Sequence, residues 1–148
     1  MNRIKLFTIG FTRKNAESFF NLLTEAGVKR IVDVRLNNVS QLAGFAKRDD
    51  LKFFLKTIGH MDYIHMPELS PSKDLLENFK KKKTDWAVYE KTYLELMAER
   101  KIAITMQDRI KDADCLLCSE DQPDCCHRRL AAEYLQGEWG NMDIRHLM

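Results

Sequence analysis

The stretch that decides the fold covers residues 113–135 and reads ADCLLCSEDQPDCCHRRLAAEYL. Its apolar run at residues 115–118 is typical of a buried strand, and a polar loop with one proline follows. Cys126 then begins an amphipathic helix, so thiol, carboxylate, imidazole and guanidinium groups come together in one corner. Because the free N–H groups and the dipole of a helix start favour anions and thiolates, this junction predicts a functional site.

Composition indicates a globular protein of ordinary size. The chain has 148 residues, 45% hydrophobic and 31% charged, with a net charge of +2 that does not by itself indicate nucleic-acid or membrane binding. We expect a single domain over residues 1–148, with no signal peptide, membrane span or membrane partner. All four cysteines lie between residues 115 and 126, which is too narrow for a disulfide framework. A reducing, cytoplasmic location is therefore expected.

Apolar strands alternate with amphipathic helices along the whole chain. The predicted strands are residues 4–9, 31–34, 63–65, 115–118 and 142–147. The predicted helices are residues 16–26, 49–58, two between residues 73 and 100, 126–136, and a less regular one at 102–110. This alternation predicts an α/β fold, a Rossmann-like three-layer sandwich with a mostly parallel five-stranded sheet. The stripe formed by Trp86, Tyr89 and Tyr93 has helical spacing and is expected to be core.

The carboxyl edge of such a sheet is where we expect a ligand. In open α/β sheets, ligands bind beyond the strand ends at the point where the strand order reverses. If the first and fourth strands are neighbours, the turn after the first strand faces the loop after the fourth. The second strand then brings its polar end to the same edge. The predicted ligand-binding residues are Thr8, Gly10, Thr12, Arg35 and Arg128.

Five short motifs resemble one known family. They read TIGFT at residues 8–12, DVR at 33–35, GFAK at 44–47, LLCSE at 116–120, and CHR at 126–128 preceded by Pro123. In this order they resemble the family catalogued as domain of unknown function 488. The resemblance implies a compact α/β domain of the prokaryotic cytoplasm and no settled activity. The chain departs from the family pattern at SQL (residues 40–42), at LSP (residues 69–71), and in the additional thiol of Cys125.

The cysteines allow several interpretations. At the predicted helix start, a Cys126 thiolate would have the depressed pKa of a nucleophilic or redox cysteine, whereas the structural alternative is a buried packing residue. Cys118 ends the strand and can face the same crevice, and Cys115 is expected to be core. Adjacent Cys126 and His127 make a poor metal chelate compared with a Cys-x-x-Cys knuckle, so we expect no metal and no cofactor. A disulfide between Cys118 and Cys126 is a minor alternative.

The charged candidates also have both functional and structural interpretations. Asp33 and Arg35 lie on one face of their strand. Asp33 is either a base or hydroxyl acceptor, or the ion-pair partner of Arg35 or Arg128. The two arginines can hold a phosphate or carboxylate, or Arg128 can pair with Glu120 or Asp33 to fix the loop. Glu120 and His127 are either acid–base groups or loop and helix caps.

Three hypotheses of function follow. The first is an enzyme that binds a small anionic ligand of nucleotide or phosphorylated type. The second is a non-catalytic protein- or nucleic-acid-binding module, and the third is a thiol redox or metal sensor. The candidate catalytic residues are Cys126, His127, Glu120, Asp33 and Cys118. The lysine run at residues 80–83 is expected to be a solvated helix end, and the sequence leaves the reaction, the substrate and the oligomeric state open.

Overall fold

The computed structural model describes residues 3–38, 44–81, 85–120 and 126–148. The strands are β1 (Ile4–Gly10), β2 (Arg30–Asp33), β3 (Asp62–His65), β4 (Asp114–Cys118) and β5 (Met142–Leu147). The α-helices are α1 (Ala16–Ala26), α2 (Arg48–Gly59), α3 (Lys73–Lys80), α4 (Trp86–Glu99), α5 (Ile102–Thr105) and α6 (His127–Trp139). Short 3₁₀ helices cover Gly44–Ala46 and Pro67–Leu69.

The five strands form one sheet in the order β3-β2-β4-β1-β5, and all of the pairs are parallel. The fourth strand therefore lies at the centre, with β2 on one side and β1 on the other. Gly10 is in register with Cys118, and Asp33 with Leu117. The predicted α/β class is confirmed, as is the pairing of the first and fourth strands on which the predicted edge site depends.

Helices cover both faces of the sheet. On one face, called here the α1/α2 face, Phe19 of α1 and Leu51 of α2 pack in one core cluster with Leu117 of β4. The opposite face, called the α4/α6 face, carries a second cluster in which Tyr93 of α4 and Leu130 of α6 join Leu116 and Cys118. Successive β4 residues thus alternate between two separate cores, as the pleat of a strand requires. The result is the three-layer, Rossmann-like sandwich that the sequence predicted.

Most predicted elements are found within a few residues of their predicted bounds. The irregular segment at residues 102–110 contains only the short helix α5. Helix α6 continues past Gly137 to Trp139 and ends at Gly140, whose left-handed φ of 76° suits glycine. Tyr89 and Tyr93 are buried core residues, as expected. No helix in the described ranges is long and apolar enough to cross a membrane.

Several residues of the sequence argument lie outside the described ranges. They are the loop positions 40–42, Lys82 and Lys83 of the lysine run, Pro123 of the family motif, and Cys125.

Replacement of Leu116 by alanine tests the central place of β4. Leu116 is fully buried, so the loss of its side chain is expected to lower the free energy of unfolding by about 2–5 kcal/mol, measured by urea denaturation. Ile104→Ala in α5 is the control, because Ile104 is 72% exposed and its loss should change stability by less than about 0.5 kcal/mol. Equal losses in the two variants would contradict this fold.

Candidate functional site at the carboxyl edge of the sheet

The carboxyl end of β4 is a topological switch point, because the chain leaves this strand toward the opposite face from its neighbours β1 and β2. After β1 and β2 the chain enters α1 and α2 on one face, and after β4 it enters α6 on the other. Thr12 ties the two sides together, since its N–H and its hydroxyl both donate to the Ser119 carbonyl, at 3.0 Å and 2.5 Å. This is the position where open α/β sheets bind ligands.

Three ligand-type side chains meet on the α4/α6 face of this edge. Cys118 is the last residue of β4, Cys126 is the N-cap of α6, and His127 is the first helical residue. All three are buried, and their sulfur and ring nitrogen atoms lie within 4.8 Å of one another. Cys118 Sγ is 3.5 Å from His127 Nδ1. We call these residues the thiol–imidazole cluster.

The orientation of the His127 ring follows from its second contact. His127 Nε2 lies 2.8 Å from the carbonyl oxygen of Val34, which can only accept a hydrogen bond, so Nε2 carries a proton. Nδ1 therefore faces Cys118 and either accepts the thiol proton or, in the imidazolium form, donates to a thiolate.

The protonation of the cluster favours a thiolate at Cys118. A hydrogen bond from Cys126 holds the pKa of Cys118 well below its usual range despite burial, and His127 adds to this effect. Burial and the neighbouring Cys118 raise the pKa of Cys126 well above its usual range. Burial by itself would lower the pKa of His127, but the charge of Cys118 raises it above the usual value. The shifts in the pKa of Cys118 and of His127 both favour a thiolate–imidazolium pair.

This arrangement corrects the predicted depressed pKa of Cys126. The Cys126 side chain does not cap the helix and is 2% exposed, so burial and its role as a donor to Cys118 outweigh the helix dipole. The thiol favoured for ionisation is instead Cys118, at the strand end. Cys115 faces the α1/α2 core, and burial raises the pKa of its thiol, in agreement with its predicted core role.

On the α1/α2 face, Asp33 and Arg35 form a closed ion pair. Arg35 Nε and Nη2 donate to the two Asp33 oxygens at 2.9 Å and 2.8 Å, and the Arg35 backbone N–H donates at 3.1 Å. The Tyr63 hydroxyl donates to the same carboxylate at 2.6 Å, and burial together with this bond raises the pKa of Tyr63. Asp33 therefore has the structural role that the sequence offered as one alternative, with Arg35 and not Arg128 as its partner.

Arg35 keeps one guanidinium nitrogen unused. Its side chain is only 3% exposed, and Nη1 has no hydrogen-bond partner among the described residues. The guanidinium carbon lies 5.4 Å from the centre of the Phe11 ring, a cation–π distance. Since Phe11 follows β1 and Arg35 follows β2, the guanidinium spans the end of the intervening strand β4. A buried N–H donor without a partner among the described residues therefore lies near the carboxyl end of β4.

Arg128 fixes the path of the chain after β4. It is completely buried, and its Nη1 donates to the backbone carbonyl of Glu120 while Nε lies 3.3 Å from Thr8 Oγ1. The Thr8 hydroxyl is also 2.6 Å from Nδ1 of His146. The structural alternative predicted a pair between Arg128 and Glu120. The two residues are in contact, but Arg128 binds the main-chain oxygen of Glu120. Glu120 itself is exposed.

The close approach of Arg128 and Glu120 depends on Gly10. A Cβ atom at residue 10 would lie 1.6 Å from the Glu120 carbonyl oxygen and 2.8 Å from Arg128 Nη1. Gly10 therefore serves to let the loop after β4 cross the end of β1. Thr8, Gly10 and Thr12 all have structural contacts here, although the sequence suggested them as ligand-binding residues.

The side chains that the sequence placed in one corner form two clusters on opposite faces of the sheet. One is the thiol–imidazole cluster, and the other is the Asp33–Arg35 ion pair with Tyr63. Asp33 is in register with Leu117, so its side chain shares the face of Leu117, whereas Cys118 points the other way. The clusters are joined by the main chain of Val34, which precedes Arg35 and accepts the bond from His127. Sequence reasoning placed the turn with Phe11 at this edge but missed Tyr63 and His146, because their contacts depend on strand pairings that no local pattern shows.

Two glycine-to-alanine substitutions, for which we expect opposite effects on stability, test the role of Gly10. Gly10→Ala is expected to lower the free energy of unfolding by about 1–3 kcal/mol, because the loop after β4 must shift. Gly137→Ala is the matched control: a Cβ there meets nothing within 4 Å, and alanine in the helix should add up to about 1 kcal/mol. Denaturant unfolding measures both, and a neutral Gly10→Ala would contradict the close approach.

One comparison with known proteins agrees with the family resemblance of the sequence. No curated protein and no solved structure matches the chain. The family model described as the domain of unknown function DUF488 matches residues 15–135, which include the thiol–imidazole cluster, the Asp33–Arg35 ion pair and strands β2, β3 and β4. By this match the chain belongs to the DUF488 family, for which the description gives no function.

Proposed function

We propose that this protein is an enzyme that binds a small anionic substrate, of nucleotide or phosphorylated type, at the carboxyl end of β4. The observation that supports the proposal is the buried Nη1 of Arg35, which has no hydrogen-bond partner within residues 3–38, 44–81, 85–120 and 126–148. A buried N–H donor without an acceptor costs about 1–3 kcal/mol, and an anionic oxygen would remove this cost.

In this proposal Arg35 is preorganised by its neighbours. Asp33 holds Nε and Nη2, and the ring of Phe11 lies beside the guanidinium, so little side-chain freedom is lost when an anion binds Nη1. Asp33 acts here as a positioning residue. Because its charge offsets that of Arg35, the affinity rests on a directional hydrogen bond more than on net charge.

The chemical step is assigned in this proposal to the thiol–imidazole cluster. Cys118 supplies a nucleophile, and His127 can deliver a proton to a leaving group. The Val34 carbonyl, which holds His127, belongs to the residue just before Arg35, so the two clusters share one strand end. A reducing cytoplasmic location is part of the proposal, and the described cysteines Cys115, Cys118 and Cys126 are free thiols, as such a location requires.

A pair of conservative variants tests the anion site. Arg35→Lys keeps a cation for Asp33 but loses Nη1, so the dissociation constant for phosphate, pyrophosphate or AMP should rise roughly ten- to hundredfold, equivalent to about 1.5–3 kcal/mol. Arg30→Lys is the matched control. Arg30 forms the same two-bond pair with Asp114 at the opposite end of β2, at 3.0 Å and 2.7 Å.

Isothermal titration calorimetry of the wild type and both variants measures the dissociation constant of each probe. We expect at least one probe to bind the wild type and Arg30→Lys equally, and Arg35→Lys more weakly. Failure of every probe to bind the wild type, or an equal loss in both variants, would refute the anion site. Pyrophosphate or AMP, which unlike phosphate carries a leaving group, should also be converted by the wild type and not by Cys118→Ser, and conversion by that variant would remove Cys118 from the chemistry.

A further inference from the structure

The thiol–imidazole cluster has the composition of a transition-metal site. Two cysteine sulfurs and one imidazole nitrogen are the ligands that zinc and similar thiophilic cations prefer. Two different elements supply them: Cys118 ends β4, and Cys126 with His127 begins α6. Three protein ligands are also the number found in catalytic zinc sites, whose fourth position is left for water or substrate.

The distances in the cluster fit a tetrahedral ion. With Zn–S of about 2.3 Å and Zn–N of about 2.0–2.1 Å, a sulfur and a nitrogen bound to one zinc lie about 3.5 Å apart, and two sulfurs about 3.8 Å apart. Cys118 Sγ and His127 Nδ1 are 3.5 Å apart, and all three ligand atoms lie within 4.8 Å of one another. Small side-chain rotations therefore suffice to close the set around an ion.

The surroundings of His127 match those of a metal ligand. Ligating histidines usually donate their second ring N–H to a carbonyl or carboxylate, which fixes the ring and keeps the other nitrogen free for the metal. His127 Nε2 has this bond to the Val34 carbonyl at 2.8 Å, so Nδ1 is the nitrogen directed at the sulfurs. The Tyr93 ring, 5.8 Å from the imidazole centre, adds apolar packing on the α4/α6 face.

The fold also answers the objection that the adjacent residues Cys126 and His127 make a poor metal chelate. Adjacent residues are poor chelators when both continue one regular element. Here Cys126 has extended backbone angles, φ −137° and ψ 137°, while His127 opens the helix. The change of backbone direction between the two residues lets both side chains lie close to Cys118.

We propose that Cys118, Cys126 and His127 bind one thiophilic divalent cation of the zinc type, with the fourth position open to an exchangeable ligand. This inference rests on the geometry of the cluster and does not require the anion site at Arg35. While Cys118 and His127 hold the ion they are not free as nucleophile and proton donor, so the chemical step proposed for them belongs to the metal-free form. Binding displaces the remaining thiol protons, so affinity should fall as the pH is lowered.

Titration of the reduced, chelator-treated full chain with Co²⁺ tests the proposal. We expect thiolate-to-cobalt charge-transfer absorption that saturates at one ion per chain and disappears when Zn²⁺ is added. Cys118→Ser, Cys126→Ser and His127→Ala should each weaken Co²⁺ binding by at least the ten- to hundredfold seen even for outer-shell changes. Cys115→Ala, a buried thiol on the opposite face, is the control and should bind Co²⁺ as the wild type does.

Absence of charge-transfer absorption in the wild type would overturn the proposal, as would an equal loss in Cys115→Ala. If a ligand variant fails to fold, the wild type still decides: Zn²⁺ should slow the alkylation of Cys118 and Cys126 under mild denaturation more than that of Cys115. Alkylation of all three at unchanged rates would also refute the site. Arg35→Lys should bind Co²⁺ normally, so failure of the metal site and failure of the anion site give different results.

Discussion

The buried guanidinium of Arg128 determines how the chain leaves the central strand. It reaches from α6 to the main chain at Glu120 and to the hydroxyl of Thr8, and so joins the helix, the loop and β1. A buried charge needs such partners, because desolvation without hydrogen bonds is costly. The requirement accounts for Gly10, whose missing side chain makes room for these contacts. Once this junction is closed, Cys126 and His127 are held beside Cys118.

The two clusters lie on opposite faces of the sheet and differ in chemistry. The α1/α2 face carries the guanidinium of Arg35, and the α4/α6 face carries buried sulfur and imidazole groups. Burial alone opposes ionisation of a thiol, so the thiolate at Cys118 depends on the hydrogen bond from Cys126 and on His127, interactions that are stronger in a buried site than in water. A substrate at the strand ends would touch the first cluster and approach the second over the end of β4.

Much of the fold could be predicted from local sequence patterns. The strand run at residues 115–118 and the helix start at Cys126 were found because apolar periodicity and strand length are local signals. The separation of Asp33 from Cys118 could not be found in this way. It depends on the register between β2 and β4, which is a long-range property that no single segment contains. The same limit explains why Tyr63 was missed, and why the depressed pKa was predicted for Cys126 whereas it is the pKa of Cys118 that is lowered.

Val34 joins the two clusters through its peptide groups alone. Its N–H donates to the Leu117 carbonyl at 3.1 Å, and its own carbonyl accepts from His127. The identity of the side chain at residue 34 is irrelevant to both bonds, so exchanging one apolar side chain for another leaves the connection between the faces intact. The two bonds can therefore be broken separately: a proline at residue 34 would remove the N–H that donates to Leu117 and leave the carbonyl that accepts from His127.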